Sequence, residues 1–205
     1  SDVQARLMAV PQALLRSRGF IFDMDGTLVD SMPFHIMAWQ QVLERRGIHE
    51  GKEYFLAHGG VPSFVMGGKL RERFGIKESA EALAREKTEN YRRLIPGIRP
   101  FPWVIPFLTE ARERGTGLAV GTGTLRENAR DVLRAAGLDG FFGTVVTSAD
   151  VTRYKPEPDT FLLCAEKLGL QPSECTVFED SPLGFEAAHR GGFSLVKVRD
   201  GQLCC

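Results

Sequence analysis

No stretch of the chain approaches the roughly 18–20 consecutive apolar residues that a membrane-spanning helix needs. An excess of charge of one sign is also missing, because 26 basic residues balance 26 acidic ones across 205 positions. That balance excludes the basic surplus of nucleic-acid and anionic-membrane binders, so neither partner is expected. Cysteine is scarce. Cys164, Cys175, Cys204 and Cys205 form neither a metal-ligand spacing nor a disulfide framework. The first two lie in helix-like or strand-like patterns that read as buried, and a reducing, cytoplasmic setting is the simplest expectation. Adjacent Cys204 and Cys205 rarely bridge each other, and no role is assigned to them. Residues 1–18 hold three Arg and scattered apolar side chains, without the compact apolar stretch of a signal peptide, and read as an N-terminal extension. Apolar residues make up 43%, enough for a packed core, which excludes an intrinsically disordered chain.

What is present is an alternation of short apolar runs with helical periodicity, the pattern of an α/β fold with a parallel sheet. The runs are Gly19–Phe22, Leu118–Val120, Phe142–Thr147, Thr176–Phe178 and Phe193–Val198. Helical spacing fills Val104–Arg114, Arg126–Ala136, Asp159–Leu168 and Gly184–His189, with Gly115, Gly137, Gly169 and Gly191 where C-caps belong. Residues 33–96 break the rhythm and read as helix only: Phe34–Arg46, Ser63–Phe74 and Ser79–Leu94, separated by Gly47, Gly59-Gly60 and Gly75. The expected organisation is a Rossmann-like core of residues 19–32 and 97–205, interrupted by an all-helical cap of residues 33–96. No surplus apolar stripe suggests self-association, so a monomer is expected.

The first run stops at Asp23-Met24-Asp25-Gly26-Thr27. Open α/β sheets bind ligands at the carboxyl ends of their strands. Two carboxylates spaced by two at such an end can hold a hard cation through oxygen, or supply a nucleophile, or simply cap the following segment. Other strand ends carry complementary groups. Thr122, Gly123 and Thr124 offer a hydroxyl and exposed N–H groups for phosphate oxygens, or a plain helix-start loop. Lys155, ahead of Pro156, is a cation suited to neutralising a carboxylate and a phosphate together, or a solvated surface charge. Glu179-Asp180-Ser181 places acids directly after a buried strand, where a cation is a natural partner; helix capping by Asp180 and Ser181 is the alternative.

Taken in this order, Asp23-x-Asp25-Gly26-Thr27, Thr122, Lys155 and Glu179-Asp180 resemble the four motifs of the haloacid dehalogenase-like superfamily of phosphohydrolases. The resemblance spans Gly19 to Val198. Stretches 82–89, 119–124 and 159–165 are similar to the β-phosphoglucomutase-like branch and to its bacterial fructose-1-phosphate phosphatases. The resemblance implies a Mg2+-dependent phosphatase of small phosphorylated metabolites, such as fructose 1-phosphate or 6-phosphogluconate. In it Asp23 is the nucleophile and Asp25 the acid–base. Thr122, Gly123 and Lys155 bind phosphate. Asp23, Asp25 (through its carbonyl), Glu179 and Asp180 hold the metal. His35, one turn from Trp39, matches a cap histidine of the branch, with packing on Trp39 as its other reading. Lys87 matches a basic substrate-binding position but also reads as a solvated helix face. His58 falls on a loop that could face the site. A phosphosugar mutase is the alternative activity. Against it, Gly60-Val61 is followed by Pro62-Ser63 rather than by the branch's phosphate-gripping Arg, with Lys69 and Arg71 a turn or two away. Thr27 also stands where mutases can carry an apolar residue.

Overall fold

The computed structural model describes Leu14, residues 16–58 and residues 61–204. Most of the N-terminal extension, Gly59-Gly60 and Cys205 lie outside the described residues. The chain divides into two compact units: residues up to Asp30 together with those from Arg99 onward, and Ser31–Ile98. These borders fall two residues outside the expected 33–96 segment on either side.

The first unit holds a sheet of six strands among the described residues: β1 (Gly19–Phe22), β2 (Gly117–Gly121), β3 (Thr144–Val146), β4 (Cys175–Glu179), β5 (Ser194–Arg199) and β6 (Gln202–Leu203). Their order is β3-β2-β1-β4-β5-β6. All pairs are parallel except the last, an antiparallel edge that the sequence did not signal, since β6 is only two residues long. β1, β2 and β4 are buried almost throughout, without in–out alternation, because both faces are covered. On one side Ile21, Ala119 and Val177 pack with Phe161 and Cys164 of α7 (Asp159–Leu168) and Ala187 and Ala188 of α8 (Pro182–Gly191). On the other, Phe20, Phe22 and Phe178 meet Phe107 of α5 (Val104–Glu113) and Trp103 in a ring cluster with centroids 4.5–6.5 Å apart. The expected α/β architecture with a largely parallel Rossmann-like sheet is therefore present. One cap differs. Gly191 is the last helical residue of α8, and Gly192, at φ 81°, carries the left-handed turn that ends it.

The second unit contains helices α1 (Met32–Glu44), α2 (Lys52–Ala57), α3 (Ser63–Phe74) and α4 (Ala80–Leu94). α2 was not anticipated, because six residues are too few to establish a 3.6-residue period. Ser79 caps α4 by accepting the Ala82 N–H, and Gly75 closes α3 in the left-handed region. Ile36, Trp39, Val42 and Leu43 of α1 form a common core with Phe55, Met66, Leu70 and Leu83. Arg46 grips both oxygens of Glu86 at 2.9 and 3.1 Å, tying the end of α1 to α4. No helix among the described residues is long and apolar enough to cross a membrane.

Candidate active site

Strand register brings the chemistry together. β1 pairs with β2 as Phe22 with Val120, and with β4 as Phe22 with Phe178. The next residues, Asp23, Gly121-Thr122 and Glu179-Asp180, consequently emerge side by side at the carboxyl edge. The Asp23 N–H still donates to Phe178 O, and the Thr122 N–H to Val146 O, both at 2.9 Å, so both residues are held as strand continuations. β1 and β4 flank the point where the strand order reverses, the usual ligand position in such sheets.

Asp23, Lys155 and Glu179 form a buried charged trio. The Lys155 ammonium donates to Asp23 Oδ1 at 2.8 Å, to Glu179 Oε2 at 2.9 Å and to Gly121 O at 3.2 Å. It also lies 4.7 Å from the centre of the Phe161 ring. Lys155 is thus no solvated surface charge. Glu179 is fully buried, and its Oε1 accepts from the Asp180 N–H, the Ser181 N–H and the Ser181 hydroxyl at 3.0–3.2 Å. Gly184 makes room for it, since a Cβ there would collide with the Glu179 carboxylate. Ser181, not Asp180, caps α8, accepting the Gly184 N–H. Gly26 bends the chain after β1 at φ 80°, and a Cβ there would strike the Asp180 carboxylate. Thr27 donates to Asp180 Oδ1 at 2.9 Å, which directs that carboxylate toward Asp23.

Three carboxylates against one ammonium leave an excess of negative charge. Burial, and then the charge on Glu179, push Asp23 well above the usual carboxylate range despite Lys155. Asp180 is pushed up to about 6, mainly by burial. Burial alone would raise Glu179 too, but Lys155 and the loop donors hold it below its ordinary value. Burial opposes charge on Lys155, yet Asp23 and Glu179 keep it firmly protonated. Carboxylate oxygens of Asp23, Glu179 and Asp180 lie within 4.8 Å of one another. Hard oxygen donors with surplus negative charge fit a divalent cation such as Mg2+.

Asp25 and the β2 loop form the rim. Thr124 donates its hydroxyl to Asp25 Oδ2 at 2.7 Å, and the Thr124 N–H donates to the Thr122 hydroxyl oxygen at 3.1 Å. Thr122 is buried and Gly123 exposed. The sequence places Thr124 in a candidate phosphate loop and carries no local signal of its bond to Asp25, a partner 99 residues away.

His35 and Lys87 lie in the helical unit, where they meet each other. Lys87 Nζ is 2.7 Å from His35 Nδ1 and 3.5 Å from Ser63 Oγ. Lys87 is buried, not on a solvated helix face, with its ammonium 4.9 Å from the Tyr91 ring centre. His35 stacks on Tyr91 at 4.0 Å between centroids. His58 ends α2, with Nδ1 2.7 Å from Tyr54 O, and lines a cavity of about 370 Å3 with Tyr54, Lys69, Glu72 and Arg73.

Known proteins resemble this chain over most of its length. A family model described as haloacid dehalogenase-like hydrolase matches residues 20–198. Fructose-1-phosphate phosphatase YqaB of Escherichia coli strain K12 is 39% identical over 185 residues, covering 90% of this chain and 97% of that protein. Hexitol phosphatase A of the same strain is 34% identical over 192 residues, covering 90% of this chain and 84% of that protein. Among solved structures, β-phosphoglucomutase of Clostridium difficile superposes with a TM-score of 0.81 over 90% of this chain and 85% of that one. At 24% identity, that likeness speaks to the fold.

Proposed function

This chain belongs to the haloacid dehalogenase-like hydrolase family and is a phosphatase of that family; we propose that it hydrolyses small sugar monophosphates with Mg2+ through a phospho-aspartate on Asp23. The observation that carries this reading is the Asp23–Lys155 contact of 2.8 Å at the carboxyl end of β1, with a second carboxylate two residues on and a hydroxyl and glycine loop beside it. The identities of 39% and 34% to phosphatases named for fructose 1-phosphate and hexitols support sugar phosphates as the substrate class.

Phosphate monoesters hydrolyse extremely slowly in water, so the site must supply a large rate gain. In the proposed route an oxygen of Asp23 attacks phosphorus as the ester P–O bond breaks. Asp25 gives its proton to the departing alkoxide. A water then attacks the phosphorus of the aspartyl phosphate, passing its proton to Asp25, and Asp23 is regenerated as inorganic phosphate leaves. The Thr122 hydroxyl, the Gly123 N–H and the Lys155 ammonium hold the non-bridging oxygens. Asp23 and Glu179 hold the Lys155 charge beside the phosphoryl position before substrate arrives, and a phosphoryl oxygen takes over one of the three N–H bonds now given to Asp23, Glu179 and Gly121 O. Asp23, Asp180 and the carbonyl of Asp25 would hold Mg2+, with Glu179 assisting; the ion would supply charge neutralisation at the phosphoryl group. In the helical unit, the Lys87–His35 pair is the candidate for binding sugar hydroxyls.

The test is release of inorganic phosphate from fructose 1-phosphate, 6-phosphogluconate, β-glucose 1-phosphate and hexitol phosphates, each with Mg2+ and with chelator. Metal-dependent release supports the reading, and the preferred compound identifies the substrate. Isomerised product without free phosphate, sustained by a bisphosphate, would replace it with the mutase.

A further inference from the structure

We propose that Thr124 is a positioning residue for Asp25, holding the proton-transfer carboxylate where it meets the leaving group. The inference rests on the phosphatase reading above and goes beyond it in assigning a role outside the four motifs.

Three bonds make Thr124 a fixed donor. Its side chain donates to Asp25 Oδ2 at 2.7 Å, a short bond to a carboxylate. Its N–H is satisfied by the Thr122 hydroxyl oxygen at 3.1 Å, the local threonine turn that shapes the loop. Its carbonyl accepts the Ser148 N–H at 3.2 Å, from the loop that follows β3. That second loop is braced in turn. Asp150 Oδ2 accepts the Thr147 N–H at 2.8 Å and hydroxyl at 3.1 Å, while Asp150 Oδ1 accepts from Arg126 at 2.8 Å. Arg126 opens α6 (Arg126–Ala135), two residues after Thr124. The β2 and β3 loops therefore close on each other around Thr124, and among the described residues the Thr124 hydroxyl bonds Asp25.

The consequence is specific. Asp25 is needed most when the leaving group is a poor one that cannot depart without a proton. Misplacing a group by about 1 Å costs on the order of 100-fold in rate. A phosphate-binding or purely structural role for Thr124 would affect all leaving groups alike.

The test compares wild type with Thr124→Val, which keeps the shape and removes the hydroxyl, and with Thr124→Ser, which restores it. The readout is kcat/KM, which covers the first, leaving-group-expelling step, for 4-nitrophenyl phosphate, phenyl phosphate and a hydrolysed sugar phosphate. For Thr124→Val we expect a loss of about 10–100-fold on phenyl and sugar phosphates and less than about 3-fold on 4-nitrophenyl phosphate. Thr124→Ser should stay within about 3-fold of wild type throughout. Mg2+-dependent thermal stabilisation should be unchanged in both variants. An equal loss on every substrate, or no loss on any, overturns the positioning role. So does failure of Thr124→Ser to recover the poor substrates. Wild-type protein that hydrolyses none of the phosphates overturns the underlying phosphatase reading instead, and Asp25's role with it.

Discussion

Lys155 and Asp23 are 132 residues apart in the chain and 2.8 Å apart in the fold. Glu179 joins the same ammonium at 2.9 Å, so one lysine keeps two buried carboxylates tolerable. Replacing Lys155 by Ala should lower kcat by about 100–1000-fold, as loss of a preorganised charge does. It should also destabilise the metal-free protein by about 3–5 kcal/mol near neutral pH, because buried charges lose their partner. Steady-state kinetics and thermal melting check both. An effect confined to KM would contradict the assigned role.

Asp23→Asn should reduce turnover by about 10,000-fold or more, since an amide cannot form the covalent intermediate. The fold should survive, because Asn relieves the crowding of three carboxylates and leaves Lys155 bonded to Glu179. Circular dichroism and phosphate release measure the two halves. Hydrolysis near the wild-type rate would sink the nucleophile assignment.

Asp180 gives a pH signature. Burial pushes its value up to about 6 from the ordinary 3.8, so the metal-free fold binds more protons than the unfolded chain. Its share of stability is full below about pH 4 and is lost as pH rises through about 6. Wild type without metal should therefore melt progressively lower than Asp180→Asn between about pH 4 and 7. Added Mg2+ should reverse the ranking at high pH and matter little near pH 5, because the ligands must be deprotonated. Melting curves of both proteins across that range, with and without Mg2+, decide it.

Cys164 and Cys175 are fully buried, and burial pushes their thiols up to about 12 and about 11. The reactive thiolate is scarce at such values. A chromogenic disulfide reagent at pH 8 should titrate at most two of the four cysteines in native protein and all four in denaturant. A third fast-reacting thiol in the native state would contradict the burial of Cys164 in α7 or of Cys175 in β4.

Gly184→Ala should weaken the site from behind. A Cβ there runs into the Glu179 carboxylate, which must move off Lys155 or off the Ser181 loop. Reduced melting temperature together with reduced kcat is expected; an unchanged kcat would show that Glu179 does not brace Lys155.

The strands and the residues at their carboxyl ends were legible because a doubly covered parallel strand is an unbroken apolar run, and polar residues ending it stand out. Phe22-Asp23 and Phe178-Glu179 are such junctions. What escaped depended on distance or brevity. α2 is too short to show a period, and β6 exists only through its pairing with β5. Lys87 sits in a highly charged segment, Arg85 to Glu89, that reads as solvated, yet the rings of Trp39 and Tyr91 bury it. Gly191 and Gly192 are equivalent by composition, and only the backbone of α8 tells which one turns left-handed. The bond from Thr124 to Asp25 joins different strand ends, which no periodicity can reveal.

The Asp30 N–H donates to Arg99 O at 3.0 Å, joining the two residues that flank the Ser31–Ile98 insertion in the chain. An unfolded loop of the 68 residues from Ser31 to Ile98 would charge the pairing of β1 with β2 about 3–4 kcal/mol of closure entropy. If the helices fold first on their own core, that entropy has already been lost when the sheet begins to form, and β1 finds β2 as though the two were near neighbours in the chain. On that order the inserted helices relieve β1, the strand that ends at Asp23, of the closure cost.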